Sequence, residues 1–173
     1  MDYLKQFKIP YAGLALGEHK FEYDIDNQLF EHFGNTFLKT NNLHVDLLFK
    51  KQETMLILGF NAKGAFEVIC DRCAGEFELP VAGNWELILK LGDEDKELSD
   101  NMVMINRNAH EINISQYIYE FTTLLLPQRK VHPPDEKGNS TCDEKTVDII
   151  EKLANKQPDA DPRWEALKKL KLK

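Results

Sequence analysis

The chain has few cysteines and no long hydrophobic run. Only three of its 173 residues are cysteine, an odd and small number that does not fit a disulfide framework. No apolar stretch approaches the roughly 20 residues that a membrane-spanning helix needs. The first residues also lack the apolar segment of a signal peptide. We therefore expect a cytoplasmic protein with reduced thiols and no role in a membrane.

The common catalytic and nucleotide-binding motifs are missing as well. There is no glycine-rich phosphate loop, no G-x-S-x-G and no H-E-x-x-H. The five histidines are scattered, and none has an evident nucleophile or carboxylate partner in the sequence. The sequence thus indicates no catalytic residue and no small-molecule substrate.

Charge is distributed unevenly along the chain. The net charge is −7, but residues 163–173 carry +4, which leaves −11 on residues 1–162. An acidic body argues against a general nucleic-acid binder, because phosphates favour clustered Lys and Arg. The basic tail is either a solvated helix end or a contact for RNA phosphate or an acidic protein face. Its basic residues are Arg163, Lys168, Lys169, Lys171 and Lys173.

Most of the first two thirds alternates apolar and polar residues with the period of a β-strand. This pattern, with short polar gaps, predicts antiparallel hairpins, with turns at 52–54 and 61–64 and a short helix ending near Gly34. Residues 54–60 are apolar on both faces, as expected for a central strand. The predicted strands are 18–25, 43–50, 54–60, 64–70, 76–80, 84–91 and 102–106.

Helices are predicted late in the chain. The first covers 115–126, with Ser115 as N-cap and an apolar face that includes Leu124. Thr141 and Glu144 have capping-box spacing for a second helix, and Asp161 is expected to cap a third. Strands followed by helices predict an α+β fold: an antiparallel β-sheet or partly open barrel with C-terminal helices packed on it.

The same pattern suggests how the chain is divided. Residues 1–135 would form a mainly antiparallel β body with one packed helix, 115–126. Residues 136–173 would form a C-terminal helical segment with the basic tail, either in the same domain or as a small appendage.

Cys70 and Cys73 form a C-x-x-C between two predicted strands. Two thiolates so placed provide half of a tetrahedral zinc shell, and His132 with Cys142 would complete a Cys₃His set. The spacing H-x₉-C matches no tight zinc knuckle, however. The pair also fits a structural turn with reduced thiols, or a redox pair, although strand flanks lack the helix N-terminus that lowers a thiol pKa.

Several features together resemble the YceD-like family, the large ribosomal RNA subunit accumulation proteins. They are the C-D-R-C between strands, a helix ending L-L-L-P, a following segment with His132 and Cys142, and the terminal D-P-R-W-E-A-L-K-K-L. The resemblance spans about residues 45–173. Its terminal motif falls on Asp161, Pro162, Arg163, Trp164, Leu167, Lys168, Lys169 and Leu170.

The resemblance implies a bacterial cytoplasmic protein that supports synthesis, processing or stability of 23S rRNA without catalytic activity. Its partner would be large-subunit rRNA. Because the body is acidic, we expect it to act through ribosomal proteins or assembly factors, which are often basic, with the basic tail touching rRNA. Many relatives have enough cysteines for a Cys₄ site, whereas this chain has only Cys142 in the later segment. Either His132 substitutes in a zinc site or the metal has been lost. The alternative is a metal- or redox-dependent enzyme centred on Cys70 and Cys73.

Overall fold

The structure is a computed structural model that describes residues 3–40 and 42–154. The predicted third helix and the basic tail lie outside these residues. The strands are β1 Lys8–Ile9, β2 Gly17–Ile25, β3 Leu43–Lys51, β4 Met55–Ile69, β5 Glu76–Gly92, β6 Lys96–Ser99, β7 Met102–Asn106 and β8 Ile112–Asn113. The α-helices are α1 Asn27–His32, α2 Ser115–Leu124 and α3 Glu144–Ala154.

The described residues fall into two compact units. The first contains the chain up to Ile69 and Glu76–Lys130, and the second contains Cys70–Gly75 together with the chain from Val131. No helix in the described ranges is long and apolar enough to cross a membrane.

The first unit is built on an open six-stranded sheet in the order β2-β3-β4-β5-β7-β6. Its pairs are antiparallel except β5 with β7, which run parallel, with Ile88 opposite Met102. A small second sheet pairs β1 with β8. The predicted α+β fold is confirmed, and the mainly antiparallel sheet does not close into a barrel.

The core lies on one face of the central strands, as the period-2 pattern predicts. Most inward residues of β3 and β4 are buried, those of β5 are buried or half-buried, and the outward residues between them are polar or half-exposed. The buried side chains include Val45, Leu47, Phe49, Leu56, Leu58, Phe60, Leu87 and Leu89. The prediction of a central strand at 54–60 is confirmed, because β4 lies between β3 and β5.

Helix α2 packs on this sheet through aromatic and aliphatic side chains. Phe121 stacks on Trp85 with ring centroids 5.8 Å apart, and Ile118 is fully buried. The predicted apolar face is wrong at Leu124, which is 81% exposed. Ser115 is the first helical residue and not the N-cap, since Ile114 occupies that position.

The predicted turn at 61–64 is wrong, because β4 continues through these residues in register with β5. Gly64 marks a close approach of two backbones. A Cβ atom there would collide with the backbone of Asn42 and would lie 2.7 Å from the Cα of Leu43. Glycine within a strand often marks such an approach.

We predict that Gly64→Ala destabilises the protein by about 1–3 kcal/mol, since the added methyl group overpacks a backbone contact. Gly13→Ala is the matched control, because no atom lies within 4 Å of a Cβ built there. The control should change the free energy of unfolding by less than about 0.5 kcal/mol. Urea denaturation measures both, and equal stabilities for the two variants would contradict the close approach.

Candidate metal centre

Four side chains of the second unit converge on one point. Cys70, Cys73, His132 and Cys142 each offer one ligand atom, and these atoms all lie within 4.8 Å of one another. The three cysteines are buried and free of disulfide bonds. The structure therefore brings together the four residues that the sequence singles out as candidate metal ligands.

Three of the six distances between ligand atoms in this cluster are close to those of a tetrahedral zinc shell. Sγ of Cys70 lies 3.8 Å from Sγ of Cys142. Nδ1 of His132 lies 3.5 Å from Sγ of Cys73 and 3.8 Å from Sγ of Cys142. A tetrahedron with Zn–S bonds near 2.3 Å and Zn–N bonds near 2.1 Å has edges of about 3.8 Å (S–S) and 3.6 Å (S–N). Three thiolates and an imidazole are also donors that zinc prefers.

The turn Cys70–Gly75 positions the first two thiols. The backbone N–H of Ala74 donates to the carbonyl of Cys70 at 2.9 Å, and the N–H of Cys70 donates to the carbonyl of Gly75 at 2.8 Å. Ala74 has φ 57°, a left-handed conformation that is uncommon for a residue other than glycine. The N–H of Arg72 donates to Sγ of Cys70 at 3.4 Å. The chain thus reverses within six residues and supplies a hydrogen bond to one of its own sulfurs.

A compact turn joins the third and fourth ligands across the loop 132–142. The carboxylate of Asp135 accepts the backbone N–H groups of Lys137 and Asn139 at 2.9 and 2.7 Å, and the side-chain amide of Asn139 at 3.0 Å. These hydrogen bonds lower the pKa of Asp135, and the one from the side-chain amide of Asn139 contributes most. Gly138 completes the turn with φ 83°. This turn folds the loop back on itself, so that His132 and Cys142 meet although their spacing in sequence is too long for a zinc knuckle.

The missed signal for this turn lies in the sequence. Asp at the first position of a β-turn and Gly at the fourth are typical of type I turns, and Asp135 and Gly138 have that spacing. The N–H donor to Sγ of Cys70, by contrast, has no sequence signal, because it comes from the backbone.

The start of α3 differs from the predicted capping box. Asp143 caps the helix, since its carboxylate accepts the backbone N–H of Thr146 at 2.8 Å and its hydroxyl at 2.7 Å. The hydroxyl of Thr141 donates instead to the carbonyl of Pro133 at 2.7 Å. This bond closes the base of the loop 132–142, so Thr141 serves the candidate site and not the helix.

Polar groups around Cys70 favour its thiolate. Burial acts to raise the pKa of this thiol, but hydrogen bonds from the backbone of Cys73, Arg72 and His132, and from the His132 side chain, lower it to about 5. A thiolate is the form that binds metal. One ligand is therefore poised in its binding state before any cation arrives.

Cys142 responds in the opposite direction. A hydrogen bond with Ser140 acts to lower its pKa, yet burial and the neighbouring sulfurs of Cys70 and Cys73 raise it overall. Sulfur atoms this close cannot all be negative without a compensating charge. The arrangement therefore favours binding a cation, which removes the repulsion between thiolates.

The other predicted site residues lie outside the described residues. They are Arg163, Lys168, Lys169, Lys171 and Lys173 of the basic tail.

We predict that Asp135→Ala lowers metal affinity roughly ten-fold, because about one more residue of the loop 132–142 must then be ordered on binding, and fixing one residue costs about 1–2 kcal/mol. Competition between the full-length protein and a chromophoric chelator for Co²⁺ measures the affinity. Glu136→Ala, one residue further on and exposed, is the matched control and should bind as the unchanged chain does. Equal losses in both variants would show that the Asp135 turn does not position the ligands.

Comparison with known proteins places the chain in a family. No curated protein and no solved structure matches it. The family profile described as "Large ribosomal RNA subunit accumulation protein YceD" matches residues 58–171, more than half of the chain. That range includes all four residues of the Cys/His cluster and most of the basic tail. The chain therefore belongs to the YceD family of large ribosomal RNA subunit accumulation proteins.

Proposed function

We propose that this protein is a non-enzymatic factor of the bacterial cytoplasm that supports synthesis, processing or stability of 23S rRNA. The observation that carries the proposal is the family match over residues 58–171. Within the described residues, four Cys and His side chains in that range lie close enough together to bind a metal ion.

We propose zinc as the metal and Cys70, Cys73, His132 and Cys142 as its ligands. The four ligands come from two stretches of sequence, 70–73 and 132–142. Zinc bound there would cross-link these stretches and supply free energy of folding, as structural zinc does in small domains. The donor set leaves no open coordination position, which is the pattern of structural and not catalytic zinc.

The burial of the thiols opposes a redox enzyme centred on Cys70 and Cys73. Reactive cysteines combine a lowered pKa with partial exposure. Cys70 has the lowered pKa, but its residue is only 2% exposed, and Cys73 is 6% exposed. A lowered pKa in a buried thiol is what a metal ligand requires.

Charge determines how the protein would reach rRNA. Residues 1–162 carry −11 and residues 163–173 carry +4. An acidic surface repels phosphate, so we propose that Arg163, Lys168, Lys169, Lys171 and Lys173 contact rRNA. The acidic remainder would act through basic partners, such as ribosomal proteins or assembly factors.

We predict about one zinc per chain in the purified protein and much less than half of that in Cys142→Ser, because serine supplies no thiolate. Elemental analysis measures the zinc. Expression of each variant in a host strain depleted of the protein shows whether the amount of 23S rRNA relative to 16S rRNA is restored.

His110→Ala replaces an exposed histidine and should behave as the unchanged chain does. Substantially less than one zinc per chain after refolding with zinc would remove the Cys₃His site. Full restoration of 23S rRNA by Cys142→Ser would remove its role in function.

We predict weak, salt-sensitive binding of 23S rRNA fragments at about 150 mM salt, and its loss when residues 163–173 are deleted. Fluorescence titration of both chains measures this binding. Replacing Lys168, Lys169 and Lys171 by Gln should weaken binding, whereas replacing Lys5, Lys20 and Lys50, lysines of the body, should not. Sub-micromolar binding that survives the deletion would contradict indirect action through proteins.

A further inference from the structure

Phe37 is the most exposed large apolar side chain among the described residues, at 90%. It belongs to the first unit and lies in the segment that joins α1 to β3. A phenylalanine in water gives up roughly 1.5–3 kcal/mol of burial free energy. Two explanations for this exposure are a segment that is loosely held and a surface that binds a partner.

The segment is tied down at both ends. The side-chain oxygen of Asn35 accepts the backbone N–H of Phe37 at 3.3 Å. The backbone N–H of Thr40 donates to the side chain of Asn27 at 2.7 Å, and its hydroxyl donates at 2.7 Å to a carbonyl of β4. Thr40 is only 1% exposed. The hydrogen bonds hold Phe37 at the surface in a defined position.

Phe37 borders a surface cleft of about 250 Å³. Ile69, the last residue of β4, lines the same cleft and is 59% exposed. Two large, exposed apolar side chains therefore line one cleft. Exposed apolar surface in a cleft can mark an interaction site.

Carboxylates surround this apolar pair. Glu67 and Glu76 line the cleft, and Glu78 is directly opposite Glu67 in the β4–β5 register. Like charges directly opposite each other on neighbouring strands are destabilising. Lys39, the bridge partner of Glu67, is the cation that lines the cleft. The two carboxylates that line the cleft, the neighbouring carboxylate of Glu78 and one ammonium group sum to a negative charge, which favours a cationic ligand.

We propose that the cleft at Phe37 and Ile69 binds an extended protein segment in which Lys or Arg alternates with aliphatic residues. In an extended segment every second side chain points to the same side, so the aliphatic residues would cover the apolar pair. The long Lys or Arg side chains between them would bend back over the edge of the cleft to reach the glutamates. RNA does not fit, because the carboxylates repel its phosphates.

This surface contains none of the candidate metal ligands and goes beyond the proposed function. Phe37 and Lys39 precede the range 58–171 that the family profile covers, whereas Glu67, Ile69 and Glu76 lie within it. The proposal rests on exposure, hydrogen bonding and charge in the first unit alone.

The test titrates ¹⁵N-labelled full-length protein with the capped synthetic peptide KLKLKLKL and, separately, with ELELELEL. We expect NMR shift changes from the lysine peptide confined to residues 36–39, 67–69 and 76–78, and none from the glutamate peptide. Phe37→Ala should weaken binding at least ten-fold, since it removes most of a side-chain burial. Leu48→Ala is the matched control, because Leu48 is 40% exposed on another strand of the sheet, and it should bind as the unchanged chain does.

Charge is tested with a second pair of variants. The double variant Glu76→Gln with Glu78→Gln should bind the lysine peptide several-fold more weakly, and its affinity should depend less on salt. The double variant Glu18→Gln with Glu22→Gln on β2 should bind as the unchanged chain does. Unchanged affinity in Phe37→Ala, or shifts centred elsewhere, would overturn the proposal. Binding of the glutamate peptide as tightly as the lysine peptide would also overturn it, as would NMR shift changes at the same residues on addition of oligouridylate. Ten-fold tighter peptide binding after deletion of residues 163–173 would assign the cleft to the chain's own LKKLKLK sequence and likewise overturn an external partner.

Discussion

Antiparallel hydrogen bonding joins all fifteen residues of β4 to β5, and the chain reverses between them through the six residues Cys70–Gly75. Because the side-chain period of a strand is two, this one register decides every inward and outward residue of both strands. It places Leu56, Leu58, Leu87 and Leu89 in the core. The same register puts Ile69 beside Glu76 at the last rung, so the strand ends, the cysteine turn and the acidic rim all follow from it.

Much of this arrangement could be predicted from sequence because burial imposes a periodic signal. The alternation in 43–50 and 84–91 predicts β3 and the second half of β5 correctly, and the doubly apolar stretch 54–60 predicts the centre of the sheet. The four cluster residues could be named because so few cysteines are present. With only three in the chain, a C-x-x-C has few possible partners.

The remaining features depend on contacts between residues far apart in sequence. Glycine reads locally as a turn, yet Gly64 is required by the backbone of residues 42–43. The parallel pairing of β7 with β5 could not be predicted from the residue pattern. Apolar and polar residues alternate in the same way in a parallel and in an antiparallel strand. Leu124 fits the apolar period of α2 but points to solvent. Periodicity predicts which side of a helix is apolar, but it does not predict how much of that side the neighbouring elements cover.

Helix α3 starts two residues after the last cluster cysteine, and none of its residues is buried among the described residues. Isolated helices shorter than about 12–15 residues are marginal in water, and this one has eleven. Among the described residues, the Asp143 cap and an exposed ion pair of Arg72 with Glu151 at 3.6 Å help to hold it in place. Hydrogen exchange should therefore divide the protein into a slow sheet and a fast helix. The helix would therefore unfold locally, on a faster timescale than the sheet.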